Sequence, residues 1–303
     1  MDGQLTITPI DATLGATITG VDLANLDDLT WRRIEEAFLQ FALLVFPGQN
    51  LTEDAQNAFA NRFGDIEVLV PGTNIKSVPL SNQNPDGSVL TAEAHFYQVL
   101  RGNEGWHTDS SYMPLAAKAS VLSAQVVPPD GGETEWADMR AAWDALDEDE
   151  KRRIEDLSAY HSLYNSQAEA GFVIETGAGY GYHTKGAPLR PLVKTHPVTG
   201  QKALFIGRHA YNIPGLDDAR SKQLLSELLA FACQRPRTYT HHWSVGDVIL
   251  WDNRCLLHRA RPYDFGQPRV MRHTRIAGDP ESELAQTFPD ARAHAFEPTV
   301  SNQ

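Results

Sequence analysis

Between residues 202 and 278 lie four short runs of apolar or β-branched residues, each closed by a turn. "KALFIG", "RTYTHHW", "DVILWDN" and "RVMRHTRIAG" each read as a strand, separated by Gly, Pro, Asn and Asp. "KASVLSAQVV", closed by "PPDGGE", adds another strand, and "LTITPI" and "GATITGVDL" alternate like short strands near the start. Helical spacing appears between them. Residues 28–45 carry Ile34, Phe38 and Phe41 and end at "PG"; "LTEDAQNAFANRFGD" has Thr52 as N-cap, acids in its first turn and Gly64 as its stop. Further helices are expected over 138–157, broken near "DEDE", and over 216–233, where Leu224, Leu225, Leu228 and Leu229 form an apolar face. This order predicts a mainly β, barrel-like core buttressed by flanking helices. No repeat or composition break marks a linker, so one domain over 1–303 is expected.

A hydrophobic fraction of 42%, with 6 Trp, 9 Tyr and 12 Phe, supports a substantial packed core and excludes wholesale disorder. The longest apolar run, "FALLVF", is far too short to cross a bilayer, and "MDGQLTITPI" lacks the basic start and apolar core of a secretory signal. Cys233 and Cys255 give no disulfide framework and no paired metal-ligand spacing, so a reduced, cytoplasmic setting is expected. The net charge of −13 argues against nucleic acid or an anionic membrane as partner. It leaves room for a small anionic substrate, because inward-pointing arginines outweigh a screened acidic surface. Homo-oligomerisation stays open.

"GWHTDSSY" sets His107 and Asp109 two residues apart, so an extended backbone would send both heads toward one ion. Alone, the pair reads equally as a hydrogen-bonded strand histidine followed by a turn. Three other stretches bear on it: "WDNRCLLHRARP", which offers His258; "GGETEWADMRAAWDAL"; and "QPRVMRHTR", which offers Arg269. Two histidines and one carboxylate on a face suit non-haem Fe(II) and leave coordination positions open.

Taken in order, "WHTDSSY", "VVPPDGGETEWADMRAAWDAL", "GRHA", "WSVGDVILWDNRCLLHRARPYD" and "RVMRHTRIAGD" resemble the taurine dioxygenase and 2,4-dichlorophenoxyacetate dioxygenase family of Fe(II)/2-oxoglutarate-dependent oxygenases. The likeness runs through residues 5 to 280 and is closer to the phenoxyalkanoate branch, through "SSY", "ADMRAAWDAL" and "DNRCLLHRARPYD". It implies a double-stranded β-helix, or jelly roll, with flanking helices. It also implies that His107, Asp109 and His258 bind Fe(II), and that Arg269 pairs with the distal carboxylate of 2-oxoglutarate, helped by the Thr134 hydroxyl. The implied reaction is O2-dependent hydroxylation with release of succinate and CO2. On an aryloxyalkanoate, hydroxylation beside the ether oxygen would yield a phenol and an oxo-acid. The same chemistry on a sulfonate, an alkyl sulfate or an amino-acid-like natural product is the alternative. From another class, a non-catalytic metal-binding barrel would bind metal without forming succinate. A zinc hydrolase would want a general base that the sequence does not name.

The taurine branch implies an arginine four residues past the co-substrate arginine, for the substrate anion; here that residue is His273. Alternation puts Arg269, Met271, His273 and Arg275 on one face and Arg272 on the other, so His273 and Arg275 are expected at the substrate. Tyr97 and Arg101, just before the triad, are expected either to line a lid over the substrate or merely to decorate a loop, and the pocket is expected from residues 71–105. The remaining histidines, His209 of "GRHA" among them, are expected on the surface or satisfied in the core, and Trp106, Trp136 and Trp251 in the barrel packing.

Overall fold

A computed structural model describes residues 5–70, 73–172, 180–286 and 291–294. Seven strands form the main sheet in the order Thr6–Pro9, Ala16–Thr19, Leu43–Phe46, Val248–Asp252, Ala117–Val126, Val270–Ala277, Val78–Ser81. Ala16–Thr19 runs parallel to Leu43–Phe46, and every other neighbouring pair is antiparallel. Facing this sheet are Thr238–His241, Thr134–Asp138 and Leu256–Ala260, paired antiparallel in that order. Trp136 of the small sheet meets Trp251 of the main one with ring centroids 5.8 Å apart, and both are fully buried. The architecture is the expected jelly roll.

Period-2 alternation assigns the side chains of the main sheet to two separate cores. Leu43, Val45, Leu122, Ala124, Ile249 and Trp251 fill the space between the sheets. Leu44, Phe46, Val121, Val248 and Leu250 pack outward beneath Ile34 and Phe38 of helix Asp28–Phe41 and Phe59 of helix Glu53–Asn61. Burial on both faces explains why these strands read as unbroken apolar runs. It also corrects the helix expected over 28–45. That helix stops at Phe41, Ala42 turns left-handed at φ 59°, and "LLVF" continues as a strand buried along its whole length. Four consecutive apolar residues carry no period that separates helix from buried strand.

Local signals placed most helices correctly. The Thr52 hydroxyl accepts from Ala55 N at 3.2 Å, and the Asp27 carboxylate accepts from Thr30 N at 2.7 Å. The helix expected over 138–157 breaks near "DEDE", as expected, into Met139–Ala145 and Glu148–Ile154, because Asp147 caps the second. Helix His95–Gly102 lies in the stretch read as irregular; its N-cap is Ala94, and no side chain caps it. Among the described residues no helix is long and apolar enough to cross a membrane.

Candidate active site

His107 and His258 are brought together by a two-way backbone bridge. His107 N–H donates to His258 O at 2.9 Å, and His258 N–H donates to His107 O at 2.7 Å. His258 stands on strand Leu256–Ala260, and the two imidazole centroids lie 4.1 Å apart. Beyond His107 the chain turns, with Ser110 at φ 56°, and this turn presents Asp109 to the same point. Asn253 pins the turn. Its backbone oxygen accepts from the Thr108 hydroxyl at 2.8 Å, and its side-chain oxygen accepts from Asp109 N at 3.2 Å and from Trp251 Nε1 at 3.0 Å. One ligand atom each from His107, Asp109 and His258 lie within 4.8 Å of one another, and all three residues are buried.

The charges suit a divalent cation. His107 Nδ1 sits 2.8 Å from Gly105 O, which can only accept, so Nδ1 holds the proton and Nε2 keeps a free lone pair. Burial pushes His107 down to about 4 and His258 well below the usual histidine value, so both rings are neutral at pH 7. Burial opposes the charge of Asp109, but Arg275, His258 and His273 outweigh it and hold the carboxyl well below the ordinary carboxylate range. Two imidazoles and an ionised carboxylate without a thiolate form a donor set that fits Fe(II).

His273 and Arg275 serve this carboxylate. Arg275 Nη2 lies 3.0 Å from Asp109 Oδ1, His273 Nε2 lies 3.4 Å from Oδ2, and the Ser120 hydroxyl donates to Oδ2 at 2.6 Å. Behind Arg275, Glu67 accepts from the Ser110 and Tyr180 hydroxyls. The alternation read along Val270–Ala277 therefore holds, while the charge of Arg275 is already engaged by Asp109. Arg275→Gln is expected to weaken Mn(II) or Fe(II) binding about 10–100-fold, the usual effect of losing a group that orients a metal ligand. Anaerobic metal titration checks this, and an unchanged affinity would mean Asp109 needs no clamp.

Two cavities meet at the triad, and both are lined by His107 and Asp109. The smaller, about 50 Å³, ends at Arg269 and Thr134. Arg269 Nε donates to Gly132 O at 3.0 Å, its Nη2 reaches Thr134 Oγ1 at 3.5 Å, and it has no ion pair among the described residues. Burial pushes Arg269 down to about 10. Thr134 Oγ1 accepts from Trp243 Nε1 at 3.0 Å, which leaves its hydroxyl proton to donate into the cavity. Gly132 makes room for this arrangement: at φ +71° a Cβ would lie 3.2 Å from Arg269 Cδ and Nε.

The larger cavity, about 330 Å³, has apolar walls from Leu69, Val78, Leu80, Phe96 and Val99. So the 71–105 stretch supplies much of the wall, although residues 71–72 lie outside the described residues. Two arginines line it, Arg275 and Arg208, of which the sequence reading missed Arg208. Arg208 Nη2 donates to Ser166 O at 2.7 Å and to Gln167 Oε1 at 2.8 Å, Nη1 donates to Gly102 O, and no carboxylate pairs with it among the described residues. Burial pushes it down to about 10. In the sequence it stands in "GRHA", directly before His209. That ring is buried against Tyr112, and its Nδ1 lies 2.8 Å from Ser166 Oγ. Tyr97 and Arg101 line neither cavity.

The model for the family "Taurine catabolism dioxygenase TauD, TfdA family" matches residues 6–275. An (S)-phenoxypropionate/alpha-ketoglutarate-dioxygenase of Sphingobium herbicidovorans is 53% identical over 94% of this chain and 99% of its own length. An alpha-ketoglutarate-dependent 2,4-dichlorophenoxyacetate dioxygenase of Cupriavidus pinatubonensis is 40% identical over 89% of this chain and 97% of its own. Among solved structures, AAD-2 in complex with Mn(II) and N-oxalylglycine superposes with a TM-score of 0.84 at 37% identity, covering 94% of this chain and 100% of that one.

Proposed function

The chain belongs to the TauD/TfdA dioxygenase family, and we propose that it oxygenates a 2-aryloxyalkanoate, cleaving it to a phenol and a 2-oxo acid. It is an Fe(II)- and 2-oxoglutarate-dependent oxygenase, which places it among the oxidoreductases. Bound iron, 2-oxoglutarate and O2 supply the oxidising chemistry: one oxygen atom goes to succinate, CO2 leaves, and the other enters the substrate C–H bond.

In this reading His107, Asp109 and His258 hold the iron. Arg269 takes the distal carboxylate of 2-oxoglutarate and Thr134 donates to it, a charge-assisted pair between buried groups. The apolar wall receives the aryl ring and keeps water from the reacting carbon. Arg208 takes the substrate carboxylate. That assignment is the observation that carries the reading: a half-buried guanidinium that bonds only neutral oxygens faces an apolar cavity beside the metal ligands. Its own N–H donates to Trp106 O at 2.8 Å, one residue from His107, and its side chain lines the same cavity as His107 and Asp109. An anchor in the cavity that the metal ligands line suits an acid whose carboxylate sits one carbon from the C–H to be broken. Hydroxylation of that carbon, which also bears the ether oxygen, gives a hemiketal or hemiacetal. Its C–O bond then breaks, the phenol leaving with the hydroxyl proton.

The test is a panel of both enantiomers of 2-phenoxypropionate, phenoxyacetate, their methyl esters, an alkyl sulfate and taurine, with succinate and phenol quantified. Phenol and succinate in equal amounts from a free acid, and none from its ester, is the expected outcome. Succinate formed with taurine or an alkyl sulfate, without phenol from any acid, would overturn the aryloxyalkanoate assignment.

A further inference from the structure

Tyr97 and Arg101 touch neither cavity, yet their helix divides the two. On one side of helix His95–Gly102, Phe96 and Val99 line the larger cavity; Leu100 lines the smaller, and Asn103, just past the helix end, lines both. Tyr97 and Arg101 stand four residues apart on another face, where i and i+4 side chains meet. Both rest on one ring: the Tyr97 centroid is 4.6 Å from that of Phe265, and Arg101 Cζ lies 5.6 Å over it. Phe265 stacks on Tyr263 at 4.5 Å and 20°, and Tyr263 lies beneath Arg269 Cζ at 5.8 Å.

Both ends of this column are tied down. Asn82 Nδ2 donates to Phe265 O at 3.0 Å and to Gln267 O at 2.9 Å, while Asn82 Oδ1 accepts from Arg269 N at 2.7 Å. At the helix end, Arg101 pairs with Glu104 at 2.6 Å, and Asn103 O accepts from Ala260 N at 2.9 Å, two residues beyond His258. Tyr263 lines the co-substrate cavity, whereas Phe265 lines neither.

We infer that Tyr97, Phe265 and Tyr263 are positioning residues that couple the two pockets, so that filling the site at Arg269 fixes the helix wall against which the substrate binds. Resting on the reading given above, the inference predicts that 2-oxoglutarate and substrate tighten each other's binding by the same factor, as linkage requires. Part of any such factor arises at the metal itself, so the column's share is what its removal takes away. Arg101 holds the column from above and has no role at the substrate.

The experiment uses the full-length Mn(II)-loaded protein without oxygen, in which ligands bind and no turnover occurs. The dissociation constant of 2-oxoglutarate is measured alone and with saturating 2-phenoxypropionate, in the wild type, Phe265→Ala and Tyr97→Leu. In the wild type a tightening of at least five-fold is expected, falling below two-fold in each variant. Should Phe265→Ala fail to fold, Tyr97→Leu, a change at a half-buried helix position, decides alone. A wild-type factor below two, or a factor kept by the folded variants, would overturn the inference. If the wild type binds no 2-oxoglutarate at all, the functional reading itself has failed, which is a separate result.

Discussion

Asp109→Asn is expected to abolish turnover and also to unfold the protein more easily. The first effect follows from losing the only anionic ligand of the proposed metal set. The second follows from Arg275, whose Nη2 lies 3.0 Å from Asp109 Oδ1 in the interior. Removing one member of a buried ion pair strands the other's charge, at a cost of about 3–5 kcal/mol. The same reasoning sets a control: adding Arg275→Met to Asp109→Asn should restore most of the thermal midpoint and none of the activity. Denaturant melts and succinate assays on the three proteins separate the effects. A single variant as stable as the wild type would show that Asp109 is not the counter-charge of Arg275.

Arg269→Met should behave in the opposite way on stability. Arg269 is buried and has no ion pair among the described residues, so its charge is a standing cost until an acid arrives. An apolar side chain of similar length removes that cost, and the thermal midpoint should hold or rise. Loss of a desolvated guanidinium–carboxylate pair is worth about 2–5 kcal/mol, which raises KM for 2-oxoglutarate from roughly thirty-fold to several thousand-fold. Metal affinity should stay close to wild type, because Arg269 touches none of the three ligands. A variant that loses both stability and metal would make Arg269 a structural residue instead.

Much of this was legible from the residues alone. The cap at Thr52, alternation through "RVMRHTRIAG", and the ordered motifs gave many of the strands, the fold and the meeting of His107, Asp109 and His258. What failed lacked a local signal. "LLVF" is apolar at every position because two cores claim it, so its period is invisible. Helix His95–Gly102 has no side-chain cap to announce it. Arg208 and Asn253 take their roles from partners far along the chain: Gly102 and Ser166, and Thr108, respectively. Spacing can place an arginine on the inner face of a strand, but only the fold shows whether its charge is already taken.

The measurement that bears most directly on the whole account is anaerobic addition of Fe(II) and then 2-oxoglutarate, followed by visible spectroscopy. The account predicts a weak metal-to-ligand charge-transfer band in the wild type that is absent from His107→Ala and needs far more 2-oxoglutarate in Arg269→Met. Fe(II) bound at the triad with no band at any 2-oxoglutarate concentration would contradict it, and would leave a metal-binding barrel that does no oxygenase chemistry.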